Sequence, residues 1–136
     1  MTRSGSCLCG AIRYEIVGVI VGINYCHCRQ CRKASGTAFA TNAAVDRVAL
    51  RLLKGAEQLK GFQSSPGKTR YFCGDCGSPI YSHAAAAPGR VYVRIGSLDQ
   101  DDGLSPDVHI HVESKAPWYA IADSLPQRQG EEDLWF

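Results

Sequence analysis

Cysteines in three short groups are the residues of this sequence best suited to chemistry. The seven are Cys7 and Cys9, then Cys26, Cys28 and Cys31, then Cys73 and Cys76. Disulfides of small secreted domains usually use an even number of cysteines, whereas clustered thiols in a reducing compartment indicate metal ligands. The grouping therefore predicts bound metal, with zinc as the metal that thiolates most often hold.

The two outer cysteine groups are pairs that lie far apart in the sequence, and a glycine follows each pair, at Gly10 and Gly77. Two such pairs can form a closed site of four thiolates, the usual arrangement of structural zinc. Glycine allows the backbone to turn sharply after each pair. We expect a structural zinc to join the N-terminal turn to a turn past the middle of the chain. A redox role for the second pair, a Cys-x-x-Cys, is the alternative.

The central group is a Cys-x-Cys-x-x-Cys triplet that leaves a zinc ion one ligand short. Cys31 lies three residues after Cys28, about one helical turn, so both thiols can lie on one side. Three protein ligands and an open fourth position are typical of catalytic zinc. Two alternatives stay open, a structural zinc with His27, His83 or His109 as fourth ligand and an iron–sulfur cluster with one more cysteine. His27 is disfavoured because it lies between two ligands.

The fourth position of such a site is left for water or a substrate atom. If that atom is a thiol sulfur, zinc would hold it as the thiolate at neutral pH. Three cysteine thiolates already outweigh the metal charge, so a fourth thiolate needs cations nearby. Arg29, Arg32 and Lys33 flank the triplet and are predicted to bind the carboxylates of a thiol substrate. The alternative is that they are solvated side chains on a surface helix.

Other polar residues indicate a role in the chemistry less strongly. His27, Ser35 and His83 are candidates for the acid that protonates the product oxygen, with water as the alternative. His109 and His111 alternate with apolar residues and are expected to be exposed. The arginines on predicted strands are weaker candidates for the same carboxylate-binding role, and we expect them to be plain outward-facing residues; they are Arg13, Arg70 and Arg94.

Composition predicts a single globular domain over residues 1–136, with 45% hydrophobic and 21% charged residues. No apolar run has the ~20 residues of a membrane helix and no secretory signal is visible, so we expect a cytoplasmic protein without membrane contact. Two zinc ions on seven thiolates would change the formal charge from +2 to about −1. That charge argues against nucleic acid as a partner. The sequence leaves a homodimer open.

Short alternating segments between turn residues predict a mostly β fold with antiparallel strands. The strands are predicted over 11–17, 19–24, 37–45, 48–53, 57–62, 68–73, 79–84, 90–96 and 107–114. One helical turn is predicted over 28–36, ended by Gly36. Residues 127–136 are predicted to form a polar surface tail, in which Leu134, Trp135 and Phe136 dock onto this chain or a partner.

Four segments, taken in order, resemble one protein family. They are "GSCLCGAIRY", "CHCRQCRKASGTAF", "YFCGDCGSPIYS" and "SKAPWYAIADSLPQ". The family is that of the glutathione-dependent formaldehyde-activating enzymes, which also includes centromere protein V-like proteins. The resemblance runs from about Gly5 to Pro126, nearly the whole chain.

This resemblance implies a β-tent similar to the Mss4-like fold, with short antiparallel strands around zinc sites. It implies a structural zinc on Cys7, Cys9, Cys73 and Cys76, and a second zinc on Cys26, Cys28 and Cys31. The implied activity is that of a carbon–sulfur lyase that joins glutathione and formaldehyde into S-hydroxymethylglutathione and catalyses the reverse cleavage. The alternative is a non-enzymatic binding module in which both zincs are structural.

Overall fold

The structure, a computed structural model, describes residues 1–131 and 136. Ten strands are β1 (Thr2–Ser6), β2 (Arg13–Val17), β3 (Gly22–Cys26), β4 (Ala40–Asp46), β5 (Leu50–Lys54), β6 (Leu59–Ser65), β7 (Lys68–Cys73), β8 (Pro79–Ala84), β9 (Arg90–Arg94) and β10 (Val108–Ile110). The single α-helix in this part of the chain is α1 (Arg29–Ser35), and Gly36 ends it in the left-handed conformation, as predicted. Short 3₁₀ turns follow β4, β9 and β10.

The strands form two sheets. The smaller sheet has the order β1-β2-β5, and the larger has the order β10-β3-β4-β9-β8-β7-β6. All pairings between these strands are antiparallel except β10 with β3, which is parallel. The prediction of a mostly β fold with antiparallel strands is confirmed.

Two groups of buried apolar residues form the core. In the first, Ile12, Tyr14 and Ile16 are buried side by side, as their alternation predicts. The second group contains two of the triplet cysteines, Cys26 and Cys31, among residues of β4 and β10. The triplet is thus built into a hydrophobic core and not placed on a surface loop.

Strand β10 is shorter than predicted and is buried on both faces, which corrects the prediction for two histidines. His109 is fully buried, because its ring packs against the rings of Tyr25, His27 and Phe39. The backbone of residues 126–128 also pairs with the edge of the strand: the His109 N–H donates to the carbonyl of Pro126, and its carbonyl accepts from Arg128. His111 lies beyond the strand with φ 56° and is half-buried against Glu113 and Glu131. A strand pattern in the sequence could not show that distant aromatic residues cover its polar face.

The C-terminal residue packs inside the molecule. Phe136 is buried in the second core group, and its ring lies so close to Gly22 that a Cβ there would come within 2.5 Å of it. Leu134 and Trp135, the other residues predicted to dock, lie outside the described residues. The helices in the described part are too short to cross a membrane.

Candidate metal centres

The first candidate metal centre is the four-thiol cluster, formed by Cys7, Cys9, Cys73 and Cys76. All four sulfur atoms lie within 4.8 Å of one another, with 3.6 Å between Cys7 and Cys9 and 3.9 Å between Cys9 and Cys73. A tetrahedral zinc with Zn–S bonds of ~2.3 Å holds its sulfurs ~3.8 Å apart. The donor set and its spacing therefore fit a zinc ion.

Tight turns present the four thiols. Gly10 and Gly77, which follow the two pairs, have φ values of 78° and 80°, in the left-handed region that favours glycine. The backbone N–H of Ile12 donates to Cys7 Sγ at 3.2 Å. The Ser78 hydroxyl lies 3.2 Å from Cys76 Sγ, and this contact is the main cause that lowers the pKa of Cys76 to about 5. The contact with Ser78 thus favours the thiolate at Cys76.

The second candidate is the three-thiol cluster, formed by Cys26, Cys28 and Cys31, whose sulfurs also lie within 4.8 Å of one another. Cys26 ends β3, Cys28 is the N-cap of α1, and Cys31 lies in its first turn. The Cys28 sulfur accepts the backbone N–H of Cys31 at 3.3 Å, so the helix start fixes two of the thiols.

No histidine or carboxylate of residues 1–131 and 136 joins the three-thiol cluster as a fourth ligand. His83 instead lies 3.2 Å from the Pro88 carbonyl oxygen. Ser35 donates to the Cys31 carbonyl at 2.7 Å, which ties its hydroxyl to the helix. The described chain thus supplies three donors that fit zinc and leaves a fourth position without a protein ligand.

Two buried arginines lie beside the three-thiol cluster, and sequence reasoning placed both of them wrongly on the protein exterior. Arg70 on β7 and Arg94 on β9 are each only 8% exposed, because the sides of β7 and β9 that carry them face α1 and the cluster. The two terminal nitrogens of Arg70 lie 3.8 and 3.7 Å from Cys31 Sγ, within range of N–H···S hydrogen bonds. Arg13, in contrast, is exposed as predicted.

The three thiols do not share charge equally. Hydrogen bonds from Cys26 and Cys28, with the positive charge of Arg70 as a further cause, hold the pKa of Cys31 well below its usual range. The same hydrogen bonding, with burial, raises the pKa of Cys26 far above it. Arg94 has no ion pair with a described carboxylate, and burial lowers its pKa to about 10, while the thiolates of the cluster act in the opposite direction. Arg70 is therefore the cation placed to offset negative charge on the cluster, through its contact with Cys31.

The predicted substrate-binding cations lie on α1, farther from the sulfurs. Arg29 and Lys33 are exposed, and Arg32 is half-buried. The Nε of Arg32 is buried and has no hydrogen-bond partner among the described residues. Among the described residues none of these three side chains donates a hydrogen bond to a sulfur of the cluster, so their role stays a prediction.

A hydrogen-bonded chain of polar side chains begins at His27, between two cysteines of the cluster. His27 Nε2 is 2.8 Å from His109 Nδ1, and His109 Nε2 is 3.0 Å from the Asp123 carboxylate. Both imidazoles are fully buried, and burial is the main cause that lowers the pKa of His27 to about 4. Position 27, between two cysteines, was visible in the sequence, but its link to residues 109 and 123 was not.

Two cavities reach the region of the clusters. A cavity of about 740 Å³ is lined by residues near both clusters, among them Cys7, Ser35 and Tyr119. A smaller cavity of about 280 Å³ is lined by Arg70, Ala34 and aromatic residues. Arg94 lines both of these cavities, each of which a small molecule could enter.

Comparison with known proteins agrees with this geometry. The model of the family "Glutathione-dependent formaldehyde-activating enzyme" matches residues 2–114. A Halomonas elongata protein, provisionally named as an enzyme of this family, is 34% identical over an alignment of 130 positions. The alignment covers 89% of this chain and 82% of that protein. An uncharacterised lyase of Schizosaccharomyces pombe is 21% identical over 119 residues, 88% of this chain and 85% of that protein.

A solved structure shares the architecture. The crystal structure of a Rhodobacter sphaeroides protein superposes with a TM-score of 0.60 at 26% identity, covering 76% of this chain and 91% of that one. The extent of the family match and the identity to the Halomonas protein decide the assignment. The chain belongs to the glutathione-dependent formaldehyde-activating enzyme family.

Proposed function

We propose that this chain is a zinc-dependent carbon–sulfur lyase and synthase that acts on the adduct of a small thiol and a small aldehyde. Glutathione and formaldehyde are the substrates proposed, since the family and the Halomonas relative carry these names. The observation that carries the proposal is the three-thiol cluster, which lacks a fourth ligand from the described chain and lies against two buried arginines.

The proposed cofactor is two Zn²⁺ per chain, one at each cluster. Zn²⁺ held by three thiolates would supply a positive charge that keeps a fourth, substrate thiol ionised at neutral pH. Three thiolates and one Zn²⁺ carry a formal charge of about −1, so a further thiolate is repelled unless cations offset it. Arg70 at Cys31 and Arg94 beside the cavities are placed to do so.

The reaction needs little from the protein beyond charge and position. The substrate sulfur attacks the aldehyde carbon, a carbon–sulfur bond forms, and the carbonyl oxygen takes a proton from water. The reverse reaction returns that proton and breaks the same bond. Arg94 can pair with a carboxylate of the thiol substrate, because this residue lines both cavities and forms no ion pair with a carboxylate of the described chain.

Arg29, Arg32 and Lys33 keep their proposed role as a second group of cations that attracts the substrate carboxylates. They lie on α1, whose Ala34 and Ser35 each line one of the cavities. Since exposed charges act at longer range and are screened by salt, we expect them to affect the rate of substrate capture more than the bound state.

The chain would work in the cytoplasm, where glutathione keeps thiols reduced. All seven cysteines are free in the structure, in agreement with that proposal. A homodimer remains an assembly to be tested by sedimentation, and nucleic acid is not a proposed partner.

Two-dimensional exchange NMR on glutathione, formaldehyde and their adduct tests the proposed reaction. Zinc-loaded protein should speed the interconversion, and Cys31→Ser should abolish the acceleration. Arg13→Gln, which removes an exposed arginine on β2, is the matched control and should leave the rate unchanged. No acceleration by the wild type would overturn the named activity and favour the binding-module alternative.

A further inference from the structure

The chain of side chains from Asp123 through His109 to His27 has no part in the proposed reaction, yet it ends between two of the three cysteines. Burying two imidazoles in contact costs free energy unless each hydrogen bond has one donor and one acceptor. The contacts in the structure determine which nitrogen donates and which accepts, starting from the half-exposed carboxylate of Asp123.

The Asp123 carboxylate can only accept a hydrogen bond, so Nε2 of His109 carries the proton that faces it. A neutral imidazole has one N–H, which leaves Nδ1 of His109 as an acceptor. Nε2 of His27 must then donate to it across 2.8 Å. Nδ1 of His27 is left as a bare lone pair, buried and without a partner among the described residues.

A donor is available for that lone pair. Arg32 Nε is the other buried nitrogen without a described partner, and it carries a hydrogen that points nowhere else in the described chain. Arg32 lies one helical turn after Cys28, to whose carbonyl its backbone N–H donates at 2.9 Å. Its positive charge is one of the causes that lower the pKa of His27, although no hydrogen bond joins the two nitrogens directly. One buried water, or a small shift of the arginine, would join them.

We propose that Asp123, His109 and His27 are positioning residues of the three-thiol centre, completed by Arg32 into a single line of hydrogen bonds that all donate toward Asp123. The line begins on α1 immediately after Cys31 and passes through the residue between Cys26 and Cys28. It therefore holds both ends of the triplet against the segment that carries Asp123. This inference rests on the proposed function, since it requires that the three-thiol centre binds metal.

The protonated imidazole nitrogens of His27 and His109 can be identified in the wild-type protein. Long-range proton–nitrogen NMR on the metal-loaded protein should show both His27 and His109 protonated at Nε2 and bare at Nδ1. A proton at Nδ1 of His27 would overturn the proposal, because the line would then run in the opposite direction and oppose the Arg32 donor.

The positioning role is tested with protein loaded with ¹¹³Cd, whose NMR signals report the two centres separately. Asp123→Ala removes the terminal acceptor, and we expect the signal of the three-thiol centre to move and its cadmium affinity to fall about 10–100-fold. The four-thiol signal should not change. Asp123→Asn keeps an acceptor oxygen and should restore most of the loss.

Glu113→Ala is the matched control, because it removes a carboxylate from the half-buried His111 instead. It should leave both cadmium signals in place. If Asp123→Ala behaves like this control, the positioning role is wrong while the proposed function stands. If the wild type shows a four-thiol signal alone, the three-thiol centre holds no metal, and both the proposed function and this inference fail.

Discussion

The four-thiol cluster and the three-thiol cluster use the same donor atom but differ in what surrounds it. In the first, backbone turns, glycines and the Ser78 hydroxyl contact the sulfurs, and Cys9 is exposed to solvent. Two cysteines are buried in each cluster, but in the second a guanidinium contacts Cys31, and a histidine lies between two of the cysteines. The first contains its own full set of ligands, whereas the second has one ligand fewer and several polar groups more.

That difference indicates a division of roles. Four thiolates complete the coordination of a zinc ion and leave no position for a substrate, so such a site can only join two distant turns. Three thiolates with buried cations form a site whose charge is balanced for one more anionic ligand. Breaking each cluster should therefore have different consequences.

The largest difference is expected between Cys73→Ser and Cys31→Ser. Structural zinc contributes ~10–16 kcal/mol in small domains, more than the usual net stability of ~5–15 kcal/mol, so Cys73→Ser should not fold. Cys31→Ser should fold and lose one zinc. Circular dichroism, thermal melting and elemental analysis measure these outcomes. Equal collapse of both variants would contradict the division of roles.

Arg70→Gln should lower the rate of adduct interconversion about 10–100-fold, because a hydrogen bond to a charged group contributes ~1.5–3 kcal/mol. The exchange NMR assay measures the rate, and elemental analysis should still show two zincs. Arg13→Gln, which removes an exposed arginine on β2, serves as the matched control. An Arg70→Gln rate equal to the control rate would show that Arg70 only fills space.

Chelator should remove the two zinc ions in two phases. The three-thiol centre has fewer ligands, so we expect it to lose its ion about tenfold faster than the four-thiol centre. A chromophoric chelator measures the release. Adding glutathione should slow only the fast phase, because it supplies the missing ligand. A single phase that glutathione does not change would remove the distinction between the centres.

Gly77→Ala should have the smallest effect. The residue has φ 80°, and a side chain in this left-handed conformation costs ~1–2 kcal/mol. A Cβ there meets no atom within 4 Å, so the cost is conformational alone. Urea denaturation should show that loss in the free energy of unfolding, without a change in the interconversion rate. Gly89→Ala, at a glycine with equally open space and no positive φ, should be neutral.

The cysteine clusters were predictable because their spacing is short and their chemistry is specific. The distribution of seven thiols into four and three follows from pairs and a triplet, and the structure brings the same groups together. Gly36 as the end of α1 was predictable for the same local reason.

The charged surroundings of the three-thiol cluster were not predictable. Arg70 and Arg94 lie 39 and 63 residues after Cys31 on alternating strands, and such a pattern does not show which face a later element covers. His109 was misplaced because two of the rings that cover it, Tyr25 and Phe39, come 84 and 70 residues earlier in the chain. Local periodicity gives the faces of a strand but not their neighbours.

The most direct test of an open three-thiol centre uses the selenol analogue of glutathione. X-ray absorption at the zinc edge of the two-zinc protein should then show selenium bound to zinc, and Cys31→Ser should remove that signal. The account predicts selenium at one of the two ions. Zinc surrounded by sulfur alone, with the selenol in excess, would contradict the claim that the fourth position receives a substrate thiol.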